Sequence, residues 1–366
     1  MHGEFKAGLW IQFSLMFLFA AMMALAPLLE ARAATRPMAG TLANEPLWPA
    51  YRDRFIKGSG RVVDNANKNI SHSEGQGFAL LMAVAAEDRE TFARIWAFTK
   101  KELMVRDDNL VAWRWAPGFG RNVTDKNNAT DGDLLISWAL LEAANAGFSN
   151  VYRTEAKRIL SDLRRLVHKD AKTGLWMRPG IWGFTAAEHS GRDIINMSYW
   201  VFPALERISD LTGDPMWRKL GADGEKLLAK SMDNRGGLPP DWNAYSSRSG
   251  SVGFAPKFST RFSYNAIRVP LYLAWSDADR SSWLARFQKN WVGRKGQLAQ
   301  VDVRLGRSRG KFADLGYQAV AHLVTCSQTN ARFPGAMRTK LDKLYYPASL
   351  HLLTIIAAKQ RYPQCW

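Results

Sequence analysis

Thr130-Asp131-Gly132-Asp133-Leu134-Leu135-Ile136-Ser137-Trp138-Ala139-Leu140-Leu141 decides how this chain is read. Two acids flank a glycine, and the run behind them is apolar nearly all round, the pattern of a helix buried on every side. A second stretch repeats the arrangement: Ser73-Glu74-Gly75-Gln76-Gly77 opens onto Phe78-Ala79-Leu80-Leu81-Met82-Ala83-Val84-Ala85-Ala86. Each puts a carboxylate at a helix mouth backed by apolar surface. One carboxyl can there be held dry with its pKa raised while another stays ionised, as cleavage by a paired acid and base requires. A plainer reading makes Ser73, Thr130 and Asp131 N-caps, because such side chains accept from the orphan amides of a first turn. The recurrence of the motif, with glycines beside the acids where a bulky ligand could approach, points instead to a site.

Outward from these two runs, helical periodicity dominates. It predicts helices at 48–56, 74–86, 89–103, 131–146, 151–167, 198–212, 215–231, 264–275, 281–289, 312–325 and 346–359. Pro215 suits a first turn and Gly147 a stop. Strand-like alternation is confined to 61–63 and 174–177, as short hairpin edges. The class is therefore all-α, built from stacked helical hairpins, with 74–86, 131–146 and 264–275 in an inner ring sheathed by an outer one. The long non-helical stretches 106–129, 168–196 and 233–262 are rich in aromatics and glycine, and long loops in a compact domain usually carry function. They hold Trp113, Trp115, Trp176, Trp182, Trp242 and Tyr245. Any one of these could fill a core; together, with interspersed acids and arginines, they suit the apolar CH faces of a sugar polymer.

The first 33 residues read as an export signal: Lys6 is the positive flank, 9–29 is apolar, and Ala31-Arg32-Ala33 is a cleavage site. An uncleaved anchor is the competing reading, since the apolar run could span a bilayer. We expect residues 34–366 to form a single domain, periplasmic or secreted, with no stable membrane insertion after cleavage. The net charge is +17, but the basic residues are scattered rather than gathered in an arm or stripe, so nucleic acid is not expected as a partner. The charge favours anionic envelope components or acidic polysaccharide, and disfavours polycationic chitosan. Cys326 and Cys365 are the two cysteines. In an oxidising compartment they form a disulfide tying the tail to a helix, with two buried thiols as the alternative. The six histidines are isolated and no Cys/His cluster has ligand spacing, so neither metal nor cofactor is expected.

Ser73-Glu74-Gly75-Gln76-Gly77, Ala129-Thr130-Asp131-Gly132-Asp133, Asp241-Trp242 and Tyr264-Asn265-Ala266-Ile267-Arg268-Val269 resemble glycoside hydrolase family 8 in order and spacing, over nearly the whole chain from Trp48 onward. The resemblance implies an (α/α)6 barrel with an open cleft across one end, and endo-hydrolysis of β-1,4-glucan with inversion by a monomer. Within the family it is strongest to the periplasmic members that accompany bacterial cellulose synthase, which implies a functional association with cellulose-synthesis machinery. Mixed-linkage glucan and xylan are the alternative polymers. Carried over by position, Glu74 matches the general acid, which needs a raised pKa to protonate the leaving oxygen. Asp131 matches the aspartate that grips the sugar at the cleavage point, Trp113 and Trp115 a stacking wall, and Tyr199, Tyr264 and Arg268 the cleft centre.

One departure matters. Many members carry Asp where this chain has Asn265, and an amide cannot accept a proton at neutral pH. Three readings follow: another carboxylate (Asp131, Asp193 or Asp241) is the base; the chain is an inactivated variant; or it binds glucan without cutting it. Asp193 and Asp241 are expected at the cleft in either case.

Overall fold

Buried faces alternate with half-buried ones from helix to helix along this chain, and that alternation builds the architecture. The structure is a computed structural model that describes residues 36–118, 120–294 and 298–366. The expected signal segment, 1–33, lies outside the described residues. Twelve α-helices occur among the described residues: α1 (Leu47–Phe55), α2 (Ser73–Ala85), α3 (Arg89–Phe98), α4 (Thr130–Asn145), α5 (Val151–Leu163), α6 (Phe202–Thr212), α7 (Pro215–Ser231), α8 (Arg268–Trp275), α9 (Ser281–Phe287), α10 (Leu315–Thr329), α11 (Ala336–Thr339) and α12 (Tyr345–Arg361). The even-numbered helices touch in sequence, α2 on α4, α4 on α6, α6 on α8, α8 on α10 and α10 on α12, and α12 closes the ring on α2. Each odd-numbered helix packs outside: α1 on α12, α3 on α2, α5 on α4, α7 on α6, α9 on α8 and α10, α11 on α10. This is the (α/α)6 barrel.

The sequence dictates which helix goes where. In α5 only Ala156, Ile159, Leu160 and Leu163 are buried, one stripe at helical spacing. In α4 everything from Thr130 to Ala144 is buried, and in α8 all residues are. Glycine sets the inner spacing. A Cβ on Gly132 would lie 2.2 Å from Ser73 Oγ and 2.9 Å from the Glu74 amide nitrogen, and one on Gly77 would lie 2.6 Å from Leu135 Cβ. The glycines beside the acids are therefore occupied by a neighbouring helix rather than left open for ligand, and the close approach they permit brings the two acidic helix starts together. Gly75 is filled likewise: its Cβ would meet the Tyr345 hydroxyl at 2.5 Å.

Strands are more numerous than the sequence reading expects. They are β1 (Ser71–His72), β2 (Arg114–Trp115), β3 (Val167–Asp170), β4 (Gly174–Met177), β5 (Asp193–Ile195), β6 (Asn243–Ser246), β7 (Ser251–Phe254), β8 (Arg261–Phe262), β9 (Ala299–Asp302) and β10 (Arg307–Lys311). They form antiparallel pairs β1-β2 and β3-β4 and sheets β5-β6-β7 and β8-β9-β10. Segment 61–63 contributes only an isolated bridge, Ile56 to Val62. Segments so short carry too little alternation to register, and Asp193-Ile194-Ile195 is buried on both faces. Three helices also start later than expected, α10 by three residues at Leu315. Before α6, Asn196 caps a single 3-10 turn at Met197–Tyr199. Before α8, Asp241 takes the amides of Ser263, Asn265 and Ala266. Cys326 of α10 and Cys365 are joined, with Cα atoms 6.2 Å apart across 39 positions.

Candidate active site

All six inner helices begin at one end of the ring, so their first turns supply the side chains there: Glu74 and Asp131 on α2 and α4, Tyr199 in the turn before α6, Arg268 on α8, Tyr317 on α10 and Tyr346 on α12. Helix N-termini carry partial positive charge, which favours carboxylates at those positions. Neither Ser73 nor Thr130 is a cap. The α2 cap is His72, whose Nδ1 accepts from the Gly75 amide at 3.1 Å, and α4 has no side-chain cap. Ser73 Oγ and Thr130 Oγ1 are buried with no hydrogen-bond partner among the described residues.

Arg268 is the hub. Its side chain is 2% exposed, between Asp131 at 1% and Glu74 at 16%. Nη1 donates to Glu74 Oε2 and, at 2.7 Å, to Asp131 Oδ2. Nη2 donates to Ser198 Oγ at 2.8 Å and to Asn265 Oδ1 at 2.9 Å. Asn196 Nδ2 donates to the same Asn265 oxygen at 3.3 Å. Asp131 Oδ1 accepts from the Gly132 amide at 2.9 Å. Burial, and then the charge of Glu74, push the Asp131 carboxyl upward against the pull of Arg268. Asp131 is thus the closed member of the pair, its ionised form disfavoured, and Glu74 the more exposed one. Burial also raises the Tyr199 phenol, with the Asp131 charge adding to it. The Tyr199 ring centroid lies 5.8 Å from the Arg268 guanidinium.

The other expected site residues divide. Trp113 is tied to the acid: its carbonyl accepts from the Ser73 amide at 3.0 Å, and its indole donates to Asp125 Oδ2 at 2.7 Å. Trp115 turns toward the outer layer, its indole donating to Glu102, Phe98 at its edge and Arg61 over its face. Tyr264 is 49% exposed and packs edge-on against Phe312. Asp241 is occupied beneath the site: Oδ1 accepts three amides, and Oδ2 accepts the Ser263 hydroxyl. Asp193 sits in β5, accepting from the Ala186 amide at 3.1 Å with Arg178 at 3.8 Å. Both aspartates hold loops instead of facing the Arg268 cluster. Of the loop aromatics, Trp176 and Tyr245 are core residues packed on each other at 5.1 Å, whereas Trp182 is exposed and Trp242 stacks on Phe184 and approaches Tyr199 at 6.0 Å.

Sequence reading missed Ser198, Asn196, Tyr346 and Phe184. Asn196 two positions before Ser198 is a capping signal, but it closes a loop whose reading turned on its aromatics and glycines. Among the described residues no group of three or more His, Cys, Asp or Glu could hold a metal ion.

A barrel end with paired carboxylates on one buried arginine, flanked by aromatic platforms, has the make-up of a glycoside hydrolase site. Comparison with known proteins agrees. The model for glycosyl hydrolases family 8 matches residues 14–360. A probable endoglucanase of Novacetimonas hansenii is 38% identical over 314 residues, 85% of this chain and 89% of that protein. An endoglucanase of Cellulomonas uda is 38% identical over 245 residues, 67% of each. Among solved structures, the endo-β-1,4-glucanase CMCax of Acetobacter xylinum superposes with a TM-score of 0.78 at 36% identity, covering 89% of this chain and 99% of that one. The endoglucanase Cel10 of Klebsiella pneumoniae gives 0.78 at 34% identity, covering 86% and 99%. This chain belongs to glycoside hydrolase family 8.

Proposed function

We propose that this enzyme is an endo-β-1,4-glucanase that cleaves cellulose-type glucan with inversion. The observation that carries this reading is the sharing of Arg268 by an open Glu74 and a closed Asp131 at the mouth of the barrel. Glu74 is the general acid, giving its proton to the leaving glycosidic oxygen. Asp131 and Arg268 fix the sugar at the cleavage point, and Trp113, Tyr199 and Tyr264 are the platforms for neighbouring rings. Glu74→Gln checks the assignment: release of reducing ends from carboxymethyl-cellulose falls by roughly 10²–10⁴-fold with glucan binding retained. Inversion delivers the α-anomer first, read by NMR, and a β-anomer product refutes it.

A specific geometry favours a second reading, in which turnover is weak. An inverting base stands about 6.5–9.5 Å from the acid to leave room for water. Glu74 and Asp131 accept from the same Arg268 nitrogen, which sets their carboxyls side by side rather than spaced for an intervening water. Asp193 and Asp241 are engaged in holding loops. Position 265 is then the base position, and this chain has an amide there.

The same reading takes 1–33 as a cleaved signal, 34–366 as one catalytic domain, the periplasm or exterior as the compartment, and a monomer associated with cellulose synthesis as the working state. Among the described residues no helix is long and apolar enough to cross a membrane. Turnover of mixed-linkage glucan and xylan beside cellulose ranks the alternatives.

A further inference from the structure

The β8-β9-β10 sheet carries a run of cations that the catalytic site does not use. Arg261, Arg304, Arg307, Arg309 and Lys311 are all exposed, and β10 is exposed along its whole length. Between 286 and 311 the sequence holds eight Lys or Arg and one acid, Asp302. That acid is engaged by its own turn: its Oδ1 accepts from Thr260 Oγ1 and from the amides of Arg304 and Leu305. None of the five cations has an ion-pair partner among the described residues. Other surface arginines do have such partners, Arg218 with Asp210 and Arg164 with Asp214.

The sheet adjoins the cleft. The Arg261 carbonyl accepts from the Asp241 amide, two positions before the Ser263 amide that Asp241 holds in turn. Lys311 precedes Phe312, whose ring lies edge-on to the exposed Tyr264 at 5.8 Å. Arg304 covers Phe254 at 4.9 Å, and Phe254 is paired with Asn243, next to Trp242. Unpaired cations beside aromatic platforms give a rim that attracts negative charge at the place where a polymer enters or leaves. We propose that this rim selects acidic β-1,4-linked polysaccharide, chains whose sugars bear carboxylates, over neutral glucan. The inference rests on the glucanase reading above and narrows its substrate class.

The test compares kcat/KM on carboxymethyl-cellulose and on neutral hydroxyethyl-cellulose, at about 0.01 M and about 0.5 M salt, where the screening length falls from about 30 Å to a few ångströms. The quadruple variant Arg304→Ser, Arg307→Ser, Arg309→Ser, Lys311→Ser is set against a charge-matched control, Lys157→Ser, Arg158→Ser, Lys169→Ser, Lys340→Ser. The expected result is an about tenfold loss of preference for the anionic polymer in the first variant at low salt, absent at high salt, with neutral turnover unchanged. An equal loss in the control, or none in the rim variant, overturns the proposal. So does binding of the parent to anionic phospholipid vesicles without preference for the anionic polymer. If the parent cuts neither polymer, the glucanase reading fails, and retardation in a gel containing carboxymethyl-cellulose, lost only in the rim variant, still decides the rim.

Discussion

Asn265→Asp is the most informative single substitution. The change is isosteric, and the new carboxylate inherits the donors that now serve the amide oxygen, Arg268 Nη2 at 2.9 Å and Asn196 Nδ2 at 3.3 Å. Both favour the ionised form, so the aspartate is poised to accept a proton from water near neutral pH. It adds a third acid around a single buried guanidinium, but Asp131 is pushed toward its protonated form, so the cluster does not accumulate three negative charges. A positioned general base supplies roughly 10²–10⁴-fold in rate, so kcat on carboxymethyl-cellulose rises by at least about 10²-fold. KM stays within about twofold, because the hydrogen bonds that place Arg268 and Asn196 are kept. Initial rates of reducing-end release, parent beside variant, are the assay. A variant no faster than the parent refutes the reasoning and means that a carboxylate elsewhere already does the work.

Three further outcomes follow from the packing and the charges. Gly132→Ala forces a Cβ to 2.2 Å from Ser73 Oγ and 2.9 Å from the Glu74 amide nitrogen, costing about 1–3 kcal/mol in chemical denaturation and a larger share of kcat than of KM, as α2 and α4 separate. Burial raises Asp133 from 3.8 to about 7 and moves Asp131 in the same direction. A carboxyl whose folded pKa is raised stabilises least where the unfolded chain has already ionised, so calorimetric stability falls as pH rises from about 4 toward 7, and Asp131→Asn flattens the slope. Replacing Cys326 and Cys365 by alanine costs about 4 kcal/mol in the chain-entropy picture for a loop of 39 positions. The measured Tm drops while kcat of the folded enzyme is unchanged.

The inner helices were legible because burial on every side leaves no polar stripe: 74–86 and 131–146 can be read as core from composition alone. The acids at their starts were legible because a carboxylate in so apolar a run has few structural reasons to be there. What hid was pairing across distance. Nothing near Arg268 in sequence announces that its guanidinium binds residues 194 and 137 positions away. Asp241 was expected at the cleft through the family resemblance of Asp241-Trp242, yet the amides of the 263–266 turn claim it. The glycines were noticed but misread: their emptiness is filled by Ser73, Leu135 and Tyr345. Apart from 174–177, which is β4, the short strands escaped because a strand of two to five residues presents little period to detect.

The contact between α12 and α2 joins the last inner helix to the first. Tyr345 donates its amide to Asn65 Oδ1, and Tyr51 shares a hydrogen bond with Ser349 across 298 positions. Helix pairs earlier in the chain can dock as soon as they are made, but the ring has no closed perimeter until residues 345–361 arrive. Tyr346, at the start of that helix, donates to the Tyr264 carbonyl at 2.5 Å, so the rim of the cleft waits on the same event. Such a topology makes the final folding step long-range and slow relative to the local ones. A chain cut short of α12 is left as a crescent with an exposed apolar inner wall, suited to a chaperone rather than to a sugar.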